Sequence, residues 1–64
     1  MIYKNLETYG KIIKNLRIKN NLTEYELADI LKIHVIYIIN YENNKGAYDK
    51  LIISKINNWI AASQ

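Results

Sequence analysis

The sequence predicts a single all-α domain built from four helices. The chain has 64 residues, no proline and only two glycines, so few of its residues interrupt a helix. Apolar residues recur at helical spacing in four separate stretches. No repeat or low-complexity stretch divides the chain. We therefore expect one compact domain over residues 1–64, with its core between about residues 8 and 60.

The first helix is predicted from about Thr8 to Lys19. Its apolar face consists of Tyr9, Ile12, Ile13 and Leu16. The pair Asn20–Asn21 is expected to end the helix, because asparagine tolerates the left-handed backbone conformation found at helix C-termini.

The second helix is predicted from Thr23 to about Leu31. Thr23 and Glu26 have the spacing of a capping box, in which each side chain accepts a hydrogen bond from the other residue's backbone amide. The apolar face of this helix consists of Leu27, Ala28, Ile30 and Leu31.

The third helix is predicted from about His34 to Asn43, after a break at Lys32 and Ile33. His34 is its expected N-cap, although serine and threonine are stronger choices. The fourth helix follows a turn at residues 43–46, and Asp49 is its expected N-cap. The apolar face of the fourth helix consists of Ile52, Ile53, Ile56, Trp59 and Ile60.

The composition excludes several classes of protein. Without cysteine, the chain has neither a disulfide framework nor a thiolate metal site. The longest apolar run is far too short to span a membrane and the first residues do not form a signal peptide, so we expect a cytoplasmic protein. The net charge of +3 permits binding to nucleic acid. The abundance of lysine, isoleucine and asparagine indicates an AT-rich coding sequence, as in a low-GC bacterium, a phage or a plasmid.

The sequence offers no candidate catalytic site, and we expect neither enzymatic activity nor a cofactor. His34 is the single histidine, and no other residues stand at the spacing that a metal site or a nucleophile–base pair requires. The simplest interpretation of His34 is a helix-capping residue.

Two short helices joined by a tight turn, with a further helix on each side, form a helix-turn-helix arrangement. A plain helical bundle gives the same periodicity, so the spacing of apolar residues does not distinguish the two folds. Particular residues do distinguish them, and they lie in four blocks. The blocks are Ile13-x-x-Leu16-Arg17, Leu22-Thr23-x-x-Glu26-Leu27-Ala28, the core positions Ile33, Ile38 and Tyr41, and Glu42-Asn43-Asn44-Lys45.

With these blocks, the chain resembles the phage-repressor/Cro (Xre-like) family of helix-turn-helix proteins from Tyr9 to about Trp59. The resemblance implies a compact repressor-like domain of four helices, or of five as in many relatives, although little chain follows Trp59 to form a fifth. The chain departs from the family pattern at Lys32 and Asn44, where glycine is frequent, and no proline precedes the fourth helix.

The resemblance also implies an ion pair between Arg17 and Glu42. Arg17 is the only arginine in a chain that has eight lysines. A planar guanidinium can make two parallel hydrogen bonds to a carboxylate, which an ammonium group cannot do.

By the same resemblance, the protein would be a DNA-binding transcription regulator of the repressor or Cro type. Its second helix would cross the backbone of double-stranded DNA, and its third would lie in the major groove. The residues expected to contact DNA are Thr23, Lys32, His34, Val35, Ile36, Ile39, Asn40, Asn43 and Lys45. A homodimer is expected, because one domain of this size buries little DNA surface. Its interface would include Ile60 and Trp59, although the favoured interpretation of Trp59 is a core residue, with the interface as its alternative role.

The outward side of the third helix is unusually aliphatic for this family. On a helical wheel, Val35, Ile36 and Ile39 lie beside Asn40 and Asn43, where relatives commonly have polar residues. Asparagine can pair with adenine, and aliphatic side chains can contact thymine methyl groups, so an AT-rich operator is expected. The alternative is that the same face binds a partner protein, as in an antirepressor or an inhibitor.

Overall fold

The computed structural model describes residues 6–46 and 48–63, and these residues contain four helices. They are α1 (Leu6–Lys19), α2 (Glu24–Leu31), α3 (Val35–Glu42) and α4 (Lys50–Ser63). This confirms the expected all-α helix-turn-helix fold with four helices. The first helix begins two residues before the predicted start. The predicted domain limits also include residues 1–5, 47 and 64, which lie outside the described residues.

The N-terminus of α2 is fixed by the predicted capping box. The backbone amide of Glu26 donates to Thr23 Oγ1 at 3.0 Å, and the amide of Thr23 donates to Glu26 Oε1 at 2.8 Å. These bonds satisfy two amides that the helix itself leaves without a partner. The start of the helix-turn-helix is therefore set by two residues three positions apart.

The turn between α2 and α3 passes through a left-handed residue. Lys32, the C-cap of α2, has φ 58° and ψ 44°. The amide of Ile33 donates to the carbonyl of Ala28 at 3.0 Å, which closes the turn in the manner of a Schellman motif. Asn21 and Asn44 have the same left-handed conformation, with φ of 59° and 60°. Asn21 thus ends α1 in the conformation expected there, and Asn44 adopts it at a position where glycine is frequent in the family.

All four helices contribute to one core. Its buried members are Tyr9, Ile13, Leu27, Ala28, Ile38, Tyr41, Ile56 and Ile60. Partly buried side chains, among them Leu16, Ile52 and Trp59, pack against this cluster. The assignment of Ile30 to the apolar face was wrong, since its side chain is 55% exposed. Ile30 lies about 100° around the helix from the direction in which Leu27, Ala28 and Leu31 point.

Helix α3 packs on α1 and α2, and α4 packs on the same two helices. The approach of α1 to the end of α3 is close at Gly10. A Cβ atom at this position would lie 2.5 Å from the carbonyl oxygen of Tyr41 and 2.8 Å from Asn44 Oδ1. Only glycine allows this contact without a displacement of the backbone.

Aromatic side chains connect the end of α3 to the start of α4. The ring centroids of Tyr41 and Tyr48 lie 4.7 Å apart in an edge-to-face arrangement. The hydroxyl of Tyr41 also accepts a hydrogen bond of 3.1 Å from the amide of Asp49. The carboxylate of Asp49 accepts from the amides of Leu51 and Ile52, as expected of an N-cap.

None of the helices in the described ranges is both long enough and apolar enough to cross a membrane.

Candidate nucleic-acid interface

Helix α3 turns one side to the core and the other to solvent. Ile38 and Tyr41 are 0% and 1% exposed and fix the inward side. The residues that follow one another on the opposite side are Ile36, Ile39, Asn40 and Asn43. We call these four residues the outward edge of α3. Ile36 is 45% exposed, Asn43 is exposed, and Ile39 and Asn40 are half-buried.

Val35 does not belong to the outward edge. It is half-buried and packs against the core cluster. It lies about 90° from the inward direction set by Ile38 and Tyr41, at the flank of the helix. The three aliphatic residues expected on one surface are thus divided, with Val35 on the flank and Ile36 and Ile39 on the outward edge.

His34 occupies the N-cap position of α3, as predicted. Its backbone is extended, and its Nδ1 atom accepts a hydrogen bond of 3.1 Å from the amide of Ile36. With Nδ1 used as an acceptor, Nε2 is the ring nitrogen that remains to donate. The exposed Nε2–H group therefore lies at the helix end that would enter a DNA groove.

The C-terminal end of α3 is held by its own polar groups. Asn43 Nδ2 donates to the carbonyl of Ile39 at 2.7 Å, and the amide of Lys45 donates to the carbonyl of Asn40 at 2.8 Å. Gly46 follows with φ 82°, and a Cβ atom there would lie 3.3 Å from Asn40 Nδ2. The loop after α3 thus folds back onto the helix.

Arg17 and Glu42 are brought together, as the family resemblance implies. Arg17 Nε donates to Glu42 Oε2 at 2.7 Å, and Nη2 donates to Oε1 at 3.0 Å. The third nitrogen, Nη1, donates to the carbonyl of Leu22 at 2.9 Å. The hydrogen bond to Glu42 raises the pKa of the Arg17 guanidinium. One side chain of α1 therefore holds both the end of α3 and the turn that precedes α2.

Three polar residues expected at the DNA surface are exposed at the ends of α2 and α3. Thr23 is at the start of α2, where its hydroxyl oxygen is used within the capping box while its proton remains free to be donated. Lys32 and Lys45 lie three residues before and after α3, and both are exposed. Glu24, in the first turn of α2, adds negative charge near Thr23.

The two residues expected at a dimer interface differ in their surroundings. Trp59 is half-buried and packs against the core cluster, and part of its surface remains accessible. Ile60 is only 3% exposed, so the structure places it in the core rather than at the surface. The helical period explains the difference, because Ile60 follows Ile56 by four residues and shares its inward direction.

The sequence did not predict the side-chain hydrogen bond that joins α1 to α4. The Tyr9 hydroxyl donates to Asn57 Oδ1 at 2.8 Å, across 48 positions in the chain. The sequence signal was a tyrosine at a core position, since a buried hydroxyl needs a partner.

In the described part of the chain, no group of three His, Cys, Asp or Glu residues could hold a metal ion.

The short helices α2 and α3, the tight turn between them and the exposed third helix define a helix-turn-helix domain. Residues 13–58 match the family model described as helix-turn-helix, and this match spans most of the chain. The protein belongs to this family, the Xre-like family of the phage repressors and Cro. It is a family of DNA-binding transcription regulators. Neither a curated protein nor a solved structure shows significant similarity to the chain.

Proposed function

We propose that the protein is a cytoplasmic repressor or Cro-like regulator that binds double-stranded DNA sequence-specifically, with α3 in the major groove of an AT-rich operator. The observation that carries this proposal is the accessibility of the outward edge of α3 between two exposed lysines, Lys32 and Lys45. Base edges would be contacted by Ile36, Ile39 and Asn40, because they lie on the side of the helix opposite the core.

The backbone of DNA would be held at the ends of the helix-turn-helix. The amides of Glu24 and Tyr25, which take no part in the capping box, and the hydroxyl of Thr23 suit a phosphate, because a helix N-terminus carries partial positive charge. Lys32, Lys45 and the Nε2–H group of His34 suit further phosphates or base edges on either side of α3. Glu24 and Glu26, both in the first turn of α2, oppose this attraction, so the lysines supply most of the charge-dependent affinity.

We further propose that the protein binds its operator as a symmetric dimer. One small domain buries too little DNA surface for tight specific binding, whereas two copies on half-sites one helical turn apart bury twice as much. Trp59 supports an interface on α4, since tryptophan is enriched at such contacts and this one retains accessible surface. Ile60 would act indirectly, through the packing of α4.

The decisive experiment is fluorescence anisotropy with a pool of random duplex DNA, followed over a series of salt concentrations. Saturable binding that selects an AT-rich palindrome and weakens steeply with salt would support the proposal. Weak binding to all sequences alike, seen only at low salt, would refute it.

A matched set of lysine variants makes the experiment sharper. Lys45→Gln should weaken binding to every duplex and reduce the slope of log affinity against log salt by about one. Lys14→Gln, on the exposed side of α1, is the control and should leave both quantities unchanged. Equal losses from the two variants would mean that binding depends on net charge alone.

A second candidate function is a protein-interaction module of the same fold, such as an antirepressor or an inhibitor. The neighbouring positions of Ile36 and Ile39 on the outward edge favour it, because adjacent aliphatic side chains at a surface are a feature of protein-binding sites. Ile36→Gln distinguishes the two functions. In a regulator it should change the selected DNA sequence, and in an interaction module it should abolish a protein complex while leaving the lysine-dependent affinity for DNA intact.

A further inference from the structure

The outward edge of α3 has few groups that could form hydrogen bonds with bases. Ile36 and Ile39 have none in their side chains. Asn43 Nδ2 already donates to the carbonyl of Ile39 at 2.7 Å, so the Oδ1 acceptor is the main group that Asn43 can offer to a base. Asn40 is therefore the main hydrogen-bonding side chain on this edge, and it is half-buried. A reading surface of this kind must distinguish bases chiefly by apolar contact.

The major groove of DNA presents a single kind of apolar group. Thymine carries a methyl group at C5, whereas adenine, guanine and unmodified cytosine carry no methyl group there. A cytosine methylated at C5 carries the same group at the same ring position. An aliphatic side chain in the groove therefore gains the most contact area at thymine or at 5-methylcytosine.

We propose that Ile36 and Ile39 recognise the C5-methyl groups of pyrimidines, so that thymine and 5-methylcytosine are the preferred bases opposite α3. This inference rests on the proposed function and specifies the chemical group that the DNA-binding surface reads. It has the further consequence that methylation of cytosine strengthens binding.

The charges around the outward edge favour DNA as its binding partner. Lys32 and Lys45 are exposed at its two ends. The only carboxylate in residues 34–46 is that of Glu42, which is 4% exposed and bonded to Arg17. The outward edge is thus apolar, has a cation at each end and carries no exposed carboxylate. These properties are complementary to the major groove, which is lined by phosphates on both sides and exposes methyl groups on its bases.

The test compares duplexes that differ only in methyl groups. The full chain is titrated into alternating dA·dT duplex and into the same duplex with deoxyuridine in place of thymidine, which keeps every hydrogen-bonding group. A second pair is alternating dG·dC duplex with and without 5-methylcytosine. We expect about fourfold weaker binding for each methyl group lost from the contact, in both pairs.

Variants of the outward edge assign the preference to α3. In Ile36→Ala the ratio of affinities for the thymine and uracil duplexes should fall towards one, and circular dichroism should show an unchanged fold because Ile36 is exposed. Lys45→Gln is the matched control, since it should weaken binding to all four duplexes by the same factor and leave the ratio intact.

The possible outcomes separate this inference from the proposed function. Salt-dependent binding with equal affinity for both members of each pair would overturn methyl recognition and leave a DNA-binding regulator in place. A thymine preference that survives in both Ile36→Ala and Ile39→Ala would also overturn it, because duplex deformability would then be the cause. Absence of binding to all four duplexes and to the random pool would overturn both proposals.

Discussion

Arg17 and Glu42, 25 positions apart in the chain, form two parallel hydrogen bonds between α1 and the end of α3. Their side chains are only 12% and 4% exposed. Because the same guanidinium also bonds to the carbonyl of Leu22, the pair fixes the orientation of α3 relative to the turn before α2. The outward edge of α3 thus depends on residues that do not belong to it.

Replacement of Glu42 by glutamine should lower the free energy of unfolding by about 2–3 kcal/mol, because a largely buried guanidinium loses its counter-charge. The measurement is urea-induced unfolding followed by circular dichroism. Asp29→Asn, on the exposed side of α2, is the matched control and should change stability by less than about 0.5 kcal/mol. If both variants unfolded at the same urea concentration, the pair would have no structural role.

Gly10→Ala should destabilise the protein although alanine is the better helix former. Helix propensity favours alanine by about 1 kcal/mol, but the new Cβ would lie 2.5 Å from the backbone of Tyr41, which cannot easily move. We expect a net loss of about 1–3 kcal/mol, as is common for overpacked sites. Asn15→Ala, on the exposed side of α1, tests propensity alone and should be neutral or stabilising. A rise in melting temperature for Gly10→Ala would contradict the close approach of α1 and α3.

Lys32→Gly should separate stability from DNA affinity. A left-handed backbone costs a residue with a Cβ atom about 1–2 kcal/mol, and part of this is regained with glycine, so the melting temperature should rise. DNA binding should weaken at the same time, because a cation beside α3 is lost. The stability of Lys32→Asn should lie between that of the unchanged protein and that of Lys32→Gly, and its affinity for DNA should match that of Lys32→Gly. The interpretation of Lys32 would be wrong if the glycine variant melted at a lower temperature.

His34→Ala should remove the hydrogen bond that caps α3, whereas His34→Ser should keep a cap. We expect the alanine variant to be less stable than the serine variant by about 1 kcal/mol, as measured by thermal unfolding. Both variants lose the imidazole Nε2–H group, so they should bind DNA equally when fully folded. Equal stability of the two variants would show that the N-cap of α3 contributes nothing measurable.

The local features of the fold could be predicted from the sequence because they depend on neighbouring residues. The capping box of Thr23 and Glu26 and the left-handed asparagines follow from backbone chemistry within one turn. The burial of Ile30 could not be judged in this way. Its position at the edge of the apolar face becomes inward or outward only when α1 and α4 are placed against α2.

The site was predictable in part for the same reason. Helical periodicity correctly placed Ile36 and Ile39 away from the core, but Val35 lies at the flank, where neighbouring helices decide its exposure. Ile60 was expected at a dimer interface on α4, but it follows Ile56 by four residues and points in the same direction, so it is buried in the core. The contact between Tyr9 and Asn57 joins residues 48 positions apart, and no local pattern specifies such a pairing.

Each of the three turns between the described helices contains a left-handed residue other than glycine, at Asn21, Lys32 or Asn44. This backbone is least favourable for Lys32, because asparagine tolerates it better, and the small core of the domain leaves a narrow margin of stability. Cellular proteases act on the unfolded fraction of such a protein. We therefore expect the loops to set how long each molecule survives, and with it how quickly a regulated gene responds when synthesis of this protein stops.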